Sequence, residues 1–297
     1  MSENGNTHRA RGIVLWVLAS LIMVFSAAYQ RTTGPTYPVE GETDLAGRTI
    51  TYELTRSHGG EGDQPVTVPY PADLPAGRVQ GVIHWRRLGT DDRWGRIPMH
   101  VEGDSEGENA LVGHLPHQPP AGKLDYRVEL RLVRGTSGGG QGVTESVLIP
   151  EKGHVTTRFK GAVPAWALVP HILFMFLGML WSTRAGLEAL FRDGDPRRLA
   201  RTAFGLLFVG GMILGPVVQE FAFDAFWTGV PFGWDLTDNK TLISVLAWGA
   251  ALWAMRGGRT ARRAVLAASI VTLVIYLIPH SLMGSTFDYA EGEITTG

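Results

Sequence analysis

The stretch Val163 to Trp181, VPAWALVPHILFMFLGMLW, decides how this chain is read. It holds no Asp, Glu, Lys or Arg, and at about 1.5 Å per helical residue it reaches almost across a bilayer core of roughly 30 Å. Outward from it, comparable runs recur at Ala203–Phe223, Thr241–Met255 and Ala264–Gly284, and far upstream at Ile13–Tyr29, just after Arg9 and Arg11. Each reads as a spanning helix. Of the 297 residues 44% are hydrophobic and 19% charged, yet residues 30–162 have the composition of ordinary soluble sequence, so a single soluble domain is excluded. The 27 Lys+Arg against 28 Asp+Glu give no reason to expect a nucleic-acid partner. The chain has no cysteine, which removes disulfides, cysteine-bound zinc or iron–sulfur clusters, and the C-x-x-C-H attachment of haem.

The charges between the runs orient them. Residues 184–201 carry Arg184, Arg192, Arg197, Arg198 and Arg201, and residues 256–263 carry Arg256, Arg259, Arg262 and Arg263, so both connections belong in the cytoplasm. Residues 224–240 hold Asp224, Asp235 and Asp238 against Lys240, and the tail after Gly284 holds Asp288, Glu291 and Glu293 with no basic residue. Both belong outside. The sequence thus predicts an α+β membrane protein of the bacterial inner membrane. Its expected parts are a cytoplasmic N-terminus (1–12), a transmembrane anchor (13–29), a linker (30–43), an exported β-sandwich (44–161), four transmembrane helices (163–284) and an exported tail (285–297). Ser26-Ala27-Ala28 offers a signal-peptidase site, but the preceding run is long for a signal peptide and favours an uncleaved anchor.

Between 44 and 161 short β-type runs alternate with Gly, Pro and Asp clusters: 49–55, 79–88, 97–101, 110–115, 124–133, 144–149 and 155–159. Leu124, Tyr126, Val128 and Leu130 alternate with Asp125, Arg127 and Glu129, which predicts one buried and one wet face. Leu115-Pro116, Pro119-Pro120-Ala121-Gly122 and Leu124-x-Tyr126-x-Val128 resemble a fibronectin type III or immunoglobulin-like module. The resemblance spans about 110 residues and lacks the paired cysteines of true immunoglobulin domains. It implies a sandwich in which Tyr126 is the corner tyrosine, bonding back across the preceding turn, and Trp85 the core tryptophan. It implies no activity. His114-x-x-His117 lacks the third ligand and the helical spacing of a metal pair. Gly59–Asp63 and Gly138–Gly140 read as turns, since neither follows a strand and opens a helix.

Within the spans the histidines are His171 and His280, each directly after a proline (Pro170, Pro279). Their helices run in opposite directions, which brings both to the outer leaflet, about 12 Å and 6 Å from the outer surface. Pro216 lies in the outer half of a third helix, so the outer halves are expected to splay around a pocket rimmed by Gln219 and Glu220. The sharpest expectation is a single b-type haem held by His171 and His280, with Gly211 and Gly215, beside Gly205 and Gly210, admitting the macrocycle. That would make the chain an electron-transfer subunit. Otherwise it is a non-catalytic scaffold or complex subunit that docks a membrane or exported protein through the sandwich, or it holds a metal or proton site at His171, His280 and Glu220.

The connection 226–240 contains Trp227 and Trp234, suited to the headgroup layer, and Thr237 or Asp238, suited to an N-cap. Its functional alternative is a lid in which Trp234, Asp235 and Asp238 face a cation or partner. Arg184 and Glu188, four residues apart, are expected to pair. No nucleophilic triad, H-E-x-x-H, Walker loop or Rossmann fingerprint is present.

Overall fold

The computed structural model describes residues 2–103, 109–135, 141–280, 282 and 284–295. The Gly138–Gly140 turn and the last two residues of the tail lie outside these. The chain is a mixed α+β molecule of two compact units: a helical unit (up to Pro35, then Val163–Ser285) and a β unit (Thr36–Ala162 with Thr286–Thr295).

The β unit contains β1 (Val39–Asp44), β2 (Thr49–Leu54), β3 (Ser57–Gly59), β4 (Gln64–Pro69), β5 (Val79–Arg87), β6 (Gly95–Pro98), β7 (His100–Gly103), β8 (Asn109–Leu115), β9 (Lys123–Gly135), β10 (Gln141–Ile149), β11 (Val155–Lys160), β12 (Thr286–Asp288) and β13 (Glu293–Thr295). One sheet runs β3-β11-β9-β5-β6 with β10 also on β9, a second runs β4-β8-β7, and β1-β2 and β12-β13 are hairpins. The thirteen-residue β9 organises the larger sheet. One of its edges pairs along its length with β5, while β11 and β10 divide the other. Side chains from both sheets and from β2 enclose one core, in which Tyr126, Phe159, Ile83, Leu111 and Leu124 are at most 1% exposed.

Two expectations for this unit change. The linker 30–43 is not open chain, because β1 occupies its second half and pairs with β2. The tail is not free either: its hairpin bonds to the β unit through Phe287 N–H to Ala121 O (3.1 Å), Tyr289 Oη–H to Gln118 Oε1 (3.0 Å) and the Lys123–Thr286 side-chain contact.

Tyr126 is fully buried, but its hydroxyl donates to Thr55 O (2.8 Å), far upstream, rather than across the 119–122 corner. The local tyrosine-to-turn bond belongs to Tyr70, whose hydroxyl donates to Pro75 O (2.6 Å) and accepts from Arg78 N–H and Val79 N–H. Trp85 is only partly buried against the core. The expected wet face of β9 is ion-paired instead. Glu129 accepts from His84 (2.9 Å) and Arg131 (2.7 Å), and Asp125, 1% exposed, accepts from Thr156 Oγ1 at 2.7 Å. The hydrogen bonds from Arg131 and His84 hold the Glu129 carboxyl far below its ordinary 4.5, at about 2.

The helical unit comprises α1 (Ser2–Thr33), α2 (Ala165–Ala189), α3 (Arg197–Leu207), α4 (Gly215–Phe223), α5 (Leu236–Ala254) and α6 (Arg262–Leu277). Among the described residues three helices are long and apolar enough to cross a membrane: Arg9–Thr33, Ala165–Ala189 and the continuous Arg197–Phe223. At 19 and 16 residues, α5 and α6 reach only about 28 and 24 Å. Helix α6 stops at Leu277 rather than continuing toward Gly284. Ile278 precedes Pro279 and is extended (ψ 119°), as steric conflict with the proline ring requires.

Pro216 falls where the helix changes its winding. The turn before it widens into a π-helix over Phe208–Leu214, and α4 resumes with the proline in its first turn. A proline ring collides with the carbonyl four residues back, and a widened turn relieves that collision. Trp248 is fully buried and donates to Thr272 Oγ1 (3.0 Å), in a cluster with Leu207, Ala251 and Val265.

A candidate polar cavity in the helical unit

One end of the helical unit collects the end of α1, the start of α2, the start of α5 and the end of α6. The start of α5 is fixed by Asp235, which is the N-cap in place of the expected Thr237 or Asp238. Its carboxylate accepts from Thr237 N–H at 2.7 Å and Asp238 N–H at 3.4 Å, and also from the backbone and hydroxyl of Ser285, at 2.9 and 2.8 Å. Asp238 accepts from Thr228 N–H (2.7 Å), and Gln219 donates to Thr228 Oγ1 (2.7 Å). Both carboxylates are thus buried, at 5% and 8% exposure. They staple the 224–235 connection and do not face a cation or partner as a lid would. Trp234 and Phe232 point outward, 75% and 82% exposed.

Starting α5 at Leu236 places Lys240 inside the helix, one turn before Ser244 and two before Trp248 on the same face. It is 3% exposed. Its ammonium donates to Ile278 O (3.0 Å), Pro279 O (3.3 Å) and His280 Nδ1 (3.4 Å), which uses all three hydrogens. Gln30 of α1 donates to Tyr276 O and Ile278 O, each at 3.1 Å. The carbonyls that Pro279 leaves without helical partners are therefore capped by side chains.

His171 and His280 line one cavity of about 80 Å³ together with Ala27, Gln30, Met175, Lys240 and Thr241. His280 is exposed at its mouth, while His171 is half-buried. The hydrogen bonds assign the ring protons. His171 Nδ1 lies 2.8 Å from Gly210 O. A carbonyl can only accept, so Nδ1 carries the hydrogen and Nε2 of the neutral ring is bare. An ammonium can only donate, so His280 Nδ1 accepts from Lys240 and its hydrogen sits on Nε2. One imidazole therefore presents an acceptor and the other a donor.

These residues do not fit a haem. Small-molecule sites run from about 300 Å³ upward, and a water occupies about 30 Å³, so 80 Å³ admits two or three waters and no macrocycle. The glycines meant to admit it are already in contact: a Cβ on Gly210 would lie 2.9 Å from Phe174 Cβ, and one on Gly211 would strike the Thr241 methyl. A Cβ on Gly215 would lie 3.7 Å from Cε1 of the His171 ring, and one on Gly205 would meet open space.

A metal centre fits no better. Glu220 is not among the cavity-lining residues, and among the described residues no three His, Cys, Asp or Glu side chains are close enough to hold an ion. A unit charge about 5 Å from the Lys240 ammonium would also be opposed by about 3 kcal/mol at an effective dielectric of 20.

At the opposite end Arg184 pairs with Glu188 as expected (2.7 Å), beneath Trp16 of α1, with the guanidinium 5.6 Å from the ring centre.

Comparison with known proteins adds little. No family model matches the chain, and no curated protein matches it. Among solved structures it is similar, at 10% identity and a TM-score of 0.24, to astrotactin-2, described as a conserved vertebrate-specific and perforin-like membrane protein involved in neuronal development. The match covers 84% of this chain and 37% of that one, so this chain spans little more than a third of its length. A likeness so slight carries no argument about fold or function.

Proposed function

We propose that this chain is a multi-pass membrane protein with an exported, immunoglobulin-like β unit and a proton-exchanging site in its helical unit at His171, His280 and Lys240. The observation that carries the reading is the cavity itself. Two imidazoles and an ammonium converge on a space suited to water, and ionisable groups at membrane depth are functional candidates because burying them is costly. Lys240 takes the place first expected of Glu220.

Five spans in the bacterial inner membrane, with the N-terminus inside, suit this reading. The hairpin β12-β13 belongs to the same unit as residues 36–162. A folded domain lies on one side of a membrane, so the chain from 163 to 285 crosses an even number of times, and α5 and α6 cross together or not at all. The arginines of residues 184–201 and 256–263 favour four crossings. Capped carbonyls beyond Leu277 supply what non-helical backbone needs at membrane depth. Burial of Leu15, Ala19 and Ser26 in α1, with Gln30 capping α6, supports a retained anchor.

The test is spectroscopic. Protein in bilayers, supplied with haemin, should show only the spectrum haemin gives in bilayers alone, and infrared difference spectra between acid and alkaline pH should show imidazole bands that His171→Gln and His280→Gln remove. A haem spectrum lost in either variant overturns the reading.

The scaffold reading keeps one observation: an open groove of about 810 Å³ on the β unit, lined by Glu40, Glu42 and Glu53 with no basic residue. Its charge suits a basic partner segment.

A further inference from the structure

We infer that Lys240, His280 and His171 form a one-way-ordered proton path, in which the ammonium proton of Lys240 passes through His280 and cavity water to Nε2 of His171. This deepens the site reading above and rests on it.

The order follows from the ring protons. Lys240 Nζ–H points at His280 Nδ1, which is bare, while His280 Nε2 carries a hydrogen. His171 Nε2 is bare because Nδ1–H is held by Gly210 O. Donor and acceptor thus alternate along the line from Nζ to the Gly210 carbonyl. Both rings line a cavity with room for two or three waters, which on this proposal bridge the two Nε2 atoms. Gln30 and Thr241 also line it and give those waters further polar partners. Among the described residues lining the cavity, Tyr276 Oη–H is committed to Met175 O (2.6 Å), and α1 contributes the uncharged Ala27 and Gln30.

The step balances. An Nζ–H bond of Lys240 breaks as an Nδ1–H bond forms on His280. The Nε2–H bond of His280 breaks as that proton enters the water, and a water proton forms the Nε2–H bond of His171. Lys240 ends as a neutral amine, His280 as its opposite tautomer and His171 as an imidazolium. One positive charge has moved from α5 to α2, and no oxidant, reductant or other reactant is needed.

Asp235 acts electrostatically on both Lys240 and His280. Its carboxylate favours the charge staying on their side of the cavity. The Gly210 carbonyl, bonded to His171 Nδ1–H, stabilises it on arrival. The widened helical turn before Pro216 is therefore tied to the terminal acceptor of the path.

The experiment is a pH titration of the full chain in phospholipid bilayers with 15N-labelled histidine, read by solid-state NMR. In the unmodified protein His171 and His280 should titrate as one coupled pair, and a water-edited spectrum should transfer magnetisation to both Nε2 positions. In Lys240→Met and in His280→Gln the His171 midpoint should move by at least one pH unit, a tenfold change in proton affinity. Lys240→Arg, which keeps the charge but surrenders no proton, should leave the equilibrium midpoint of His171 near its original value and slow proton exchange at its Nε2. Independent titration of the two rings, or a His171 midpoint unchanged in both His280→Gln and Lys240→Met, overturns the path and leaves the site reading intact. Rings that do not titrate in the unmodified protein overturn both. The water-edited measurement needs no variant, so a misfolded mutant does not shield the proposal.

Discussion

The two units bury different things. In the β unit the deepest side chains are Tyr126, Phe159, Ile83 and Leu111, and the buried carboxylate of β9, Asp125, accepts from Thr156. In the helical unit the end around Trp248 is built the same way, but the other end buries Lys240, Asp235 and Asp238 at 3–8% exposure. Apolar replacements for buried ion pairs are often neutral or stabilising, so a fold needs no such cluster. Asp235 and Asp238 staple the connection before α5, and Lys240 caps the carbonyls after α6, so the comparison bears on the proposed site only through the contact of Lys240 with His280.

The largest effects should come from the two apolar cores. Phe159→Ala in the β unit and Trp248→Ala in the helical unit should each cost about 3–5 kcal/mol, measured by denaturant unfolding, and each should leave hydrogen exchange in the other unit near its original level. Equal loss in both units would show that the two cores unfold as one.

Next come the glycines. Gly211→Ala sets a methyl against Thr241 and should cost about 1–3 kcal/mol by overpacking. Gly205→Ala meets nothing within 4 Å and should be neutral or stabilising by up to about 1 kcal/mol. Equal effects in thermal melts would mean that α3–α4 does not pack on α5 as described.

Tyr126→Phe removes the donor to Thr55 O and should cost about 1 kcal/mol, read in the same melts. The smallest effect is the pH dependence of the β unit. Because the Glu129 carboxyl is depressed to about 2 from 4.5, its contribution is complete above about pH 4.5 and lost as pH falls toward 2. Glu129→Gln should flatten the acid limb of β9 hydrogen exchange in that window, and an unchanged limb would assign the acid sensitivity elsewhere.

Much of this architecture is legible in the residues. The alternation Leu124-Tyr126-Val128-Leu130 marks β9, and the opposed directions of α2 and α6 bring His171, on α2, and His280, just past the end of α6, to one cavity. What escaped has physical reasons. Lys240 looks like a loop charge because the apolar run begins at Thr241, and only the Asp235 cap shows that the helix starts earlier. Extending the buried face back from Trp248 through Ser244 reaches Lys240 and was the available signal. Alternation alone made Asp125 wet, whereas Thr156 gives its carboxylate an interior partner. The hairpin at 286–295 is too short to signal itself, and its docking is set by Ala121, Gln118 and Lys123 far away in sequence.

The most direct test of the central claim is the tautomer of each imidazole in bilayers near pH 8, read from 15N chemical shifts. The account predicts that His171 carries its hydrogen on Nδ1 and His280 on Nε2, and that Lys240→Met erases this preference at His280 alone. Finding the hydrogen of His171 on Nε2, or both rings in the same tautomer, would contradict it, because donor and acceptor would no longer meet across the cavity.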